Sequence, residues 1–289
     1  MKIGIIGGGF VGSATSSFVE KEDLLVYDID PNKCHPKELT LSDLVEQSQL
    51  IFICVPTPMN NDGSCCLKIV ESVVEDLKDA GCDFNEKFVI IRSTVPPGTC
   101  RRLNCYFMPE FLTEANYLND FYNTSIWLIG AKTNNNEEFE SNHNKFIGAI
   151  VHLLIKAKMY NKISSCEHII VSQDEAEMIK YFKNCFLATK VSFCNEIYEF
   201  CKKSNINYNV VANFVKLDER IGKTHLNVPG PDGRFGFGGT CFPKDMHALE
   251  HEFKNKGIEC PIISAAIVRN EDIDRKEKDW LLDKGRAAI

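Results

Sequence analysis

The residues most able to do covalent chemistry lie in one run, Gly236-Phe237-Gly238-Gly239-Thr240-Cys241-Phe242-Pro243-Lys244-Asp245. Three glycines in positions 236–239 let a backbone approach something closely, which an ordinary surface loop does not require. Pro243 suits the first turn of a helix that continues through Ala248 and Leu249. Cys241 then stands at a helix N-terminus beside Lys244, where the helix end and the ammonium both favour a thiolate. Such a thiolate is a competent nucleophile toward a carbonyl carbon. Of the 13 cysteines, Cys241 alone has this combination; Cys185, Cys194 and most of the others read as small buried hydrophobes.

A second chemical signal opens the chain. Gly7-Gly8-Gly9-Phe10-Val11-Gly12 contains G-x-G-x-x-G directly after an apolar run and before a helical pattern. Gly7 permits the tight turn, Gly9 lets a pyrophosphate approach the backbone, and Gly12 allows close helix–strand packing. Asp28 ends the second apolar run, placed to accept hydrogen bonds from ribose hydroxyls and to repel a 2′-phosphate. The expected cofactor is therefore NAD rather than NADP, with Lys33 near enough in sequence to soften the exclusion. A third pattern, His247-Ala248-Leu249-Glu250-His251, fits the H-x-x-E-H of a metallopeptidase. No third ligand and no C-x-x-C pair accompanies it, so no metal site is expected.

These residues need elements to hold them. Apolar, β-branched runs at 2–6, 24–28, 50–55, 88–92, 126–129 and 168–171 alternate with helical patterns, which implies βαβ units and a mostly parallel sheet. The run at 50–55 is apolar on both faces, as an interior parallel strand must be. From 174 to about 204 there is neither Pro nor Gly, and Ile179, Phe182, Phe186, Phe193, Ile197 and Phe200 recur at helical steps. That predicts one long amphipathic helix of about 45 Å. The expected fold is α/β: a Rossmann-like parallel-sheet domain at 1–173, then the long helix and a smaller all-α domain at 174–289. The apolar stripe of the 174–204 helix exceeds what one small lobe can cover, which predicts a homodimer seam.

Composition bounds the remaining classes. The chain has 289 residues, 44% hydrophobic and 25% charged, as in soluble globular proteins. A net charge of −7 without basic blocks argues against nucleic-acid partners. No apolar stretch is long enough to span a bilayer, and glycines interrupt the apolar N-terminus, so neither membrane insertion nor export is expected. An odd cysteine count with Cys65 and Cys66 adjacent fits reduced thiols in the cytoplasm.

Several segments together resemble the UDP-glucose/GDP-mannose dehydrogenase family: the glycine turn, Val55-Pro56-Thr57-Pro58, Ser93-Thr94-Val95-Pro96-Pro97-Gly98, Pro109-Glu110-Phe111-Leu112-Thr113-Glu114, the helical stretch 180–196, Asp218-Glu219-Arg220-Ile221-Gly222, and the cysteine run. They occur in family order and cover residues 1 to about 270. The resemblance implies NAD-dependent oxidation of the C6 alcohol of UDP-glucose to UDP-glucuronate by two hydride transfers, with a thiohemiacetal and then a thioester on Cys241. It assigns Lys180, Asn184 and Asp245 to the proton and oxyanion of the sugar oxygen, with Thr94 and Glu114 positioning or activating water. Phe10, Val11, Thr57, Thr94, Glu114 and Lys244 join Gly7, Gly9, Gly12, Asp28 and Lys33 as cofactor contacts. Glu110, Phe111, Leu112, Lys180, Asn184, Arg220, His225 and Gly238 are the implied substrate contacts, with Arg220 reaching in from a partner subunit.

Two departures from the family stand out: Phe10 where Tyr is common, and an end at Ile289 where the family continues into a nucleotide-binding C-terminal domain. Without that domain, the chain is expected to bind NAD normally but to oxidise UDP-glucose weakly and with poor discrimination. The alternatives are a GDP-mannose 6-dehydrogenase and a catalytically weak NAD-binding subunit; the metallopeptidase reading has the least behind it.

Overall fold

The computed structural model describes residues 1–132 and 137–289, with side chains for 1–132 and 142–289. The chain divides into two compact units, one of Met1–Thr57 and Leu67–Lys180, the other of Pro58–Cys66 and Tyr181–Ile289.

The first unit alternates strands and helices: β1 (Ile3–Ile6), α1 (Phe10–Ser16), β2 (Leu24–Tyr27), α2 (Leu41–Gln47), β3 (Leu50–Ile53), α3 (Lys68–Asp79), β4 (Phe88–Ile91), α4 (Thr99–Arg102), β5 (Tyr106–Phe107), α5 (Tyr117–Tyr122), β6 (Trp127–Ala131), α6 (Glu137–Met159) and β7 (His168–Ser172). The long helix α7 (Gln173–Lys203) begins in this unit and continues into the other. The strands form one sheet in the order β2-β1-β3-β4-β5-β6-β7. Every pairing is parallel except β5 with β6, where Phe107 faces Gly130.

The sheet explains the doubly apolar strands. Ile3, Ile5, Leu50, Phe52, Phe88 and Ile90 enter one core, where Ala14 from α1, Phe18 from the turn after it, and Phe121, Phe146 and Leu153 from α5 and α6 meet them. Their neighbours Ile51, Ile53, Val89 and Ile91 enter a second core with Leu44, Val70, Val74 and Leu77 from α2 and α3. Alternate side chains point to opposite faces and both faces are covered, so a polar residue is costly at either position. Truncating a fully buried residue such as Phe52 to Ala costs about 3–5 kcal/mol. The two-residue β5 escaped the sequence reading because it is too short to show a period.

The second unit is helical: the remainder of α7, then α8 (Tyr208–Val215), α9 (Phe242–Asn255) and α10 (Pro261–Arg269), followed by a single π turn at Asn270–Asp274. Among its described residues the only β pairing is isolated bridges, Met59 with Cys65 and Ala288, and Lys284 with Ala288. Cys194, Cys201, Tyr208, Leu226 and Val228 form its small core.

Candidate functional site

In the first unit, β1 delivers the chain into the glycine turn. Gly7 sits at φ +97°, and a Cβ there would stand 2.4 Å from the Cys54 carbonyl oxygen. A Cβ on Gly12 would stand 1.9 Å from the Gly7 carbonyl oxygen, so only glycine lets α1 come this close to β1. At Gly9, the N-cap of α1, a Cβ would meet nothing within 4 Å. Open space beside unsatisfied helix N–H groups fits the phosphates of a dinucleotide. Asp28 takes the Gly8 N–H at 2.6 Å and the Asp30 N–H at 2.8 Å, one on each oxygen. Each oxygen keeps acceptor capacity for a ribose hydroxyl. The exposed Lys33 lies with its stem against Gly8. Phe10 meets Tyr117 edge-on at 6.2 Å, and Val11 packs on the core. Thr57 and Thr94 are both buried, and the Thr57 hydroxyl donates to the Thr94 carbonyl at 2.9 Å. Glu114 is exposed on the loop after β5.

The same unit holds a buried charge cluster. Lys180, 3% exposed, donates to the Glu110 carbonyl at 2.7 Å and to its carboxylate at 2.9 Å. Its ammonium lies 5.4 Å from the Phe111 ring centre, and the Leu112 N–H donates to Glu110 at 2.7 Å. Read in isolation, Lys180 and Glu110 look like a helix surface and a solvated loop; both are buried. Burial pushes the Glu110 carboxyl up, but Lys180, the Leu112 N–H and Arg92 outweigh it and hold it below its ordinary value. Arg92 was missed by sequence reasoning. It is 1% exposed with Nε and Nη1 lacking hydrogen-bond partners, and burial lowers its pKa against the pull of Cys54 and Glu110. The available signal was a cation ending an otherwise apolar strand. Glu177, fully buried, accepts from the N–H groups of Gly98 and Cys100 at 2.6 and 2.7 Å, which ties the 93–98 loop to α7.

In the second unit, Cys241 is the N-cap of α9 and is partly exposed, with Pro243 in the first turn. Its carbonyl accepts the Asp245 N–H at 3.0 Å. Lys244 and Asp245 are buried, and the Lys244 ammonium donates to Asp245 Oδ1 at 2.6 Å. Asn184 Nδ2 donates to Asp245 Oδ2 at 2.7 Å, so both carboxylate oxygens are engaged. Burial works against the Lys244 charge, but Asp245 and the thiols of Cys241 and Cys65 prevail and raise its pKa. Lys244 is therefore a fixed cation in the turn that follows the cysteine. Cys65, read from the sequence only as a reduced thiol, also faces the buried Tyr181, whose pKa is raised by burial, then by Cys65 and Asp245.

The remaining candidates are placed less simply. The close approach inferred from the glycines is made by this chain's own Asn270 and Arg275: a Cβ on Gly238 would stand 2.3 Å from the Arg275 guanidinium carbon. Arg220 is exposed and chelated by Asp218, with Nη2 at 2.6 Å. His225, at φ +63°, lies 5.6 Å from the Phe242 ring, and burial and Lys190 lower its pKa. The residues of the H-x-x-E-H pattern turn to separate partners: His247 to Glu271 at 2.7 Å, Glu250 to Ser264, and His251 toward Asp62 at 3.9 Å. Among the described residues no group of three metal-ligating side chains comes together.

Residues 37–146 match the NAD binding domain of the UDP-glucose/GDP-mannose dehydrogenase family, and residues 174–272 match that family's central domain. The chain belongs to this family. It is similar to the UDP-glucose 6-dehydrogenase of Rickettsia conorii, 34% identical over 239 residues that cover 78% of this chain and 50% of the relative. The chain thus spans about half the length of that relative. Its fold matches that of a UDP-glucose dehydrogenase from Pyrobaculum islandicum with a TM-score of 0.76 at 25% identity, over 94% of this chain and 68% of the other. A GDP-mannose dehydrogenase from Pseudomonas aeruginosa shares the fold, with a TM-score of 0.62 at 23% identity over 98% and 71% of the two chains. The match to the family's NAD binding domain lies mostly on the sheet unit, and the glycine turn and Asp28 precede it in the same unit. Among the described residues no helix is long and apolar enough to cross a membrane.

Proposed function

We propose that this member of the family is an NAD-dependent nucleotide-sugar 6-dehydrogenase that oxidises the C6 alcohol of UDP-glucose to the carboxylate, with Cys241 carrying the carbon between two oxidations. The observation behind this reading is the thiol at the start of α9, followed within one turn by a buried Lys244–Asp245 pair that Asn184 completes. NAD, held at the glycine turn and Asp28, supplies the acceptor for one hydride in each oxidation.

The chain's own groups do the rest. Oxidation of the alcohol needs an acceptor for the hydroxyl proton, a role we give to Asp245 with Lys180 as a cation for the developing negative charge. The Cys241 sulfur then adds to the aldehyde carbon, forming a C–S bond and a thiohemiacetal. Its oxygen takes the proton back from Asp245, and loss of hydride from that carbon, with the hydroxyl proton passing again to Asp245, leaves a thioester. Water, activated by Glu114 or held by Thr94, adds to the thioester carbonyl; the C–S bond breaks, the carboxylate leaves and the thiol returns. Glu110, Phe111, Leu112, Gly238 and His225 are the proposed substrate contacts. The test is Cys241→Ala: it should retain NAD binding and lose UDP-glucuronate formation, whereas the unsubstituted chain should yield two NADH per sugar. UDP-glucuronate production by the alanine variant would refute the covalent route. A GDP-mannose preference in the same assay would transfer the reading to the other branch of the family.

The partner we propose is a second copy of the chain. Phe182, Phe186, Phe193 and Phe200 of α7 are each about 60% exposed, and covering what is exposed would gain on the order of 1–2 kcal/mol per ring. Arg220, freed from Asp218, would then serve the partner's substrate.

A further inference from the structure

Residues 236–239 lead into Cys241, and two side chains from beyond α10 clamp them. Phe237 donates its N–H to Asn270 Oδ1 at 2.8 Å, and its carbonyl accepts Asn270 Nδ2 at 3.0 Å. One amide thus satisfies both backbone groups of one residue, as a neighbouring strand would. Asn270 is 1% exposed, so no solvent stands ready to replace it. The Gly236 N–H is held by Asn195 Oδ1 at 3.2 Å. Arg275, 3% exposed, covers Gly238: a Cβ there would meet Cζ at 2.3 Å, Nη2 at 2.5 Å and Nε at 2.7 Å. The guanidinium is itself fixed by Asp279 at 2.6 and 2.8 Å and by Asp232 at 2.8 Å. Two carboxylates on one cation leave Arg275 no surplus positive charge for a phosphate, so what it contributes is shape. Asn270 opens the π turn and Arg275 closes it, its N–H donating to the Asn270 carbonyl at 2.7 Å. Such turns place side chains that a regular helix would aim elsewhere.

We infer that Asn270 and Arg275 are positioning residues that set the location of the Cys241 thiol. The inference rests on the reading of Cys241 as the residue that carries substrate. Gly239, at φ +72°, has nothing within 4 Å of where a Cβ would be, so it offers little restraint of its own between Gly238 and Thr240. Glycine-rich chain has the most conformational freedom to lose, and the clamp removes that freedom before substrate arrives. A displacement of about 1 Å at a reacting atom costs on the order of 100-fold in rate.

The experiment compares Asn270→Ala with the unsubstituted chain in steady-state kinetics and in the pH profile of Cys241 alkylation by iodoacetamide, followed by mass spectrometry of the Cys241 peptide. The variant is expected to lose at least tenfold in kcat with KM changed less than threefold. Its alkylation should slow tenfold with a shifted pH midpoint, while circular dichroism and NAD binding stay the same. A folded variant with unchanged kcat and alkylation profile overturns the inference. If Asn270→Ala does not fold, Gly238→Ala decides, made alone and together with Arg275→Ala. The alanine should slow alkylation tenfold when Arg275 is present and less than twofold when it is absent, because the three atoms nearest its Cβ all belong to that side chain. Equal slowing in both backgrounds overturns the clamp. Cys241→Ala runs in parallel: acid formation by that variant removes the premise, and it is told apart from failure of the clamp because Asn270 is intact there.

Discussion

Asn184 and Asp245 stand 61 residues apart in sequence and meet at 2.7 Å, amide nitrogen to carboxylate oxygen. The other oxygen of Asp245 holds the Lys244 ammonium at 2.6 Å. The carboxylate is therefore the hub that joins the cysteine helix to α7 within the second unit. This geometry separates the consequences of removing each partner.

Asp245→Asn leaves the buried Lys244 charge without its counter-ion. Breaking a buried pair from one side costs about 3–5 kcal/mol. The expected result is a lowered denaturant midpoint together with a loss of at least 100-fold in NADH production. Asn184→Ala removes one charge-assisted hydrogen bond, worth about 1.5–3 kcal/mol, and should fall between. Equal stability of Asp245→Asn and the unsubstituted chain in urea titration would show that the pair is dispensable.

Asp28 should make NAD bind at least tenfold more tightly than NADP, since a 2′-phosphate would face a carboxylate already anchored by Gly8 and Asp30. Asp28→Asn keeps an acceptor for the Gly8 N–H and removes the charge. Fluorescence titration should show the gap narrowing mainly through better NADP binding. If NADP already binds as tightly as NAD, Lys33 outweighs Asp28.

Glu177 should give the first unit a pH-dependent stability. Burial raises its carboxyl from 4.5 to about 7, and the N–H groups of Cys100 and Gly98 only partly oppose this. The folded state thus favours the protonated acid. Its contribution is fully present below pH 4.5 and is lost as pH rises through about 7. At 1.36 kcal/mol per unit the change is about 3 kcal/mol. His225 contributes with the opposite sign, because burial and Lys190 lower its pKa and favour the neutral ring. The readout is accordingly the difference between the unsubstituted chain and Glu177→Gln in urea titrations at pH 5, 6, 7 and 8. The unsubstituted chain should lose stability relative to Glu177→Gln steadily as pH rises; a constant difference would contradict the assignment.

The exposed face of α7 predicts association. Sedimentation of the unsubstituted chain should give twice the 32.7 kDa mass at micromolar concentration. Phe186→Glu and Phe193→Glu should each give the single mass without a loss of thermal stability in the monomer, since both side chains are already exposed. A monomer before substitution would leave the stripe uncovered and Arg220 without a role across the seam.

Local chemistry alone determined much of this protein. Strands buried on both faces must be apolar throughout, so β1, β3 and β4 are legible as runs. The tight turn after β1 needs glycine at Gly7 and Gly12, whose Cβ atoms would overlap carbonyl oxygens. A stretch free of Pro and Gly with apolar residues at helical steps is α7, and Pro243 marks the first turn behind Cys241. Each of these follows from neighbours within a few residues. Other features were decided only by tertiary structure. Lys180 reads as helix surface until Glu110, 70 residues away, closes on it. Asn270 and Arg275 lie in a charged stretch that looks solvated, yet they are buried against Phe237 and Gly238 because a π turn redirects them. The two-residue β5 exists only because β4 and β6 offer it unpaired backbone on either side. A polar side chain gains stability in the interior only once a particular distant partner meets it, and that pairing leaves no periodic trace in the chain.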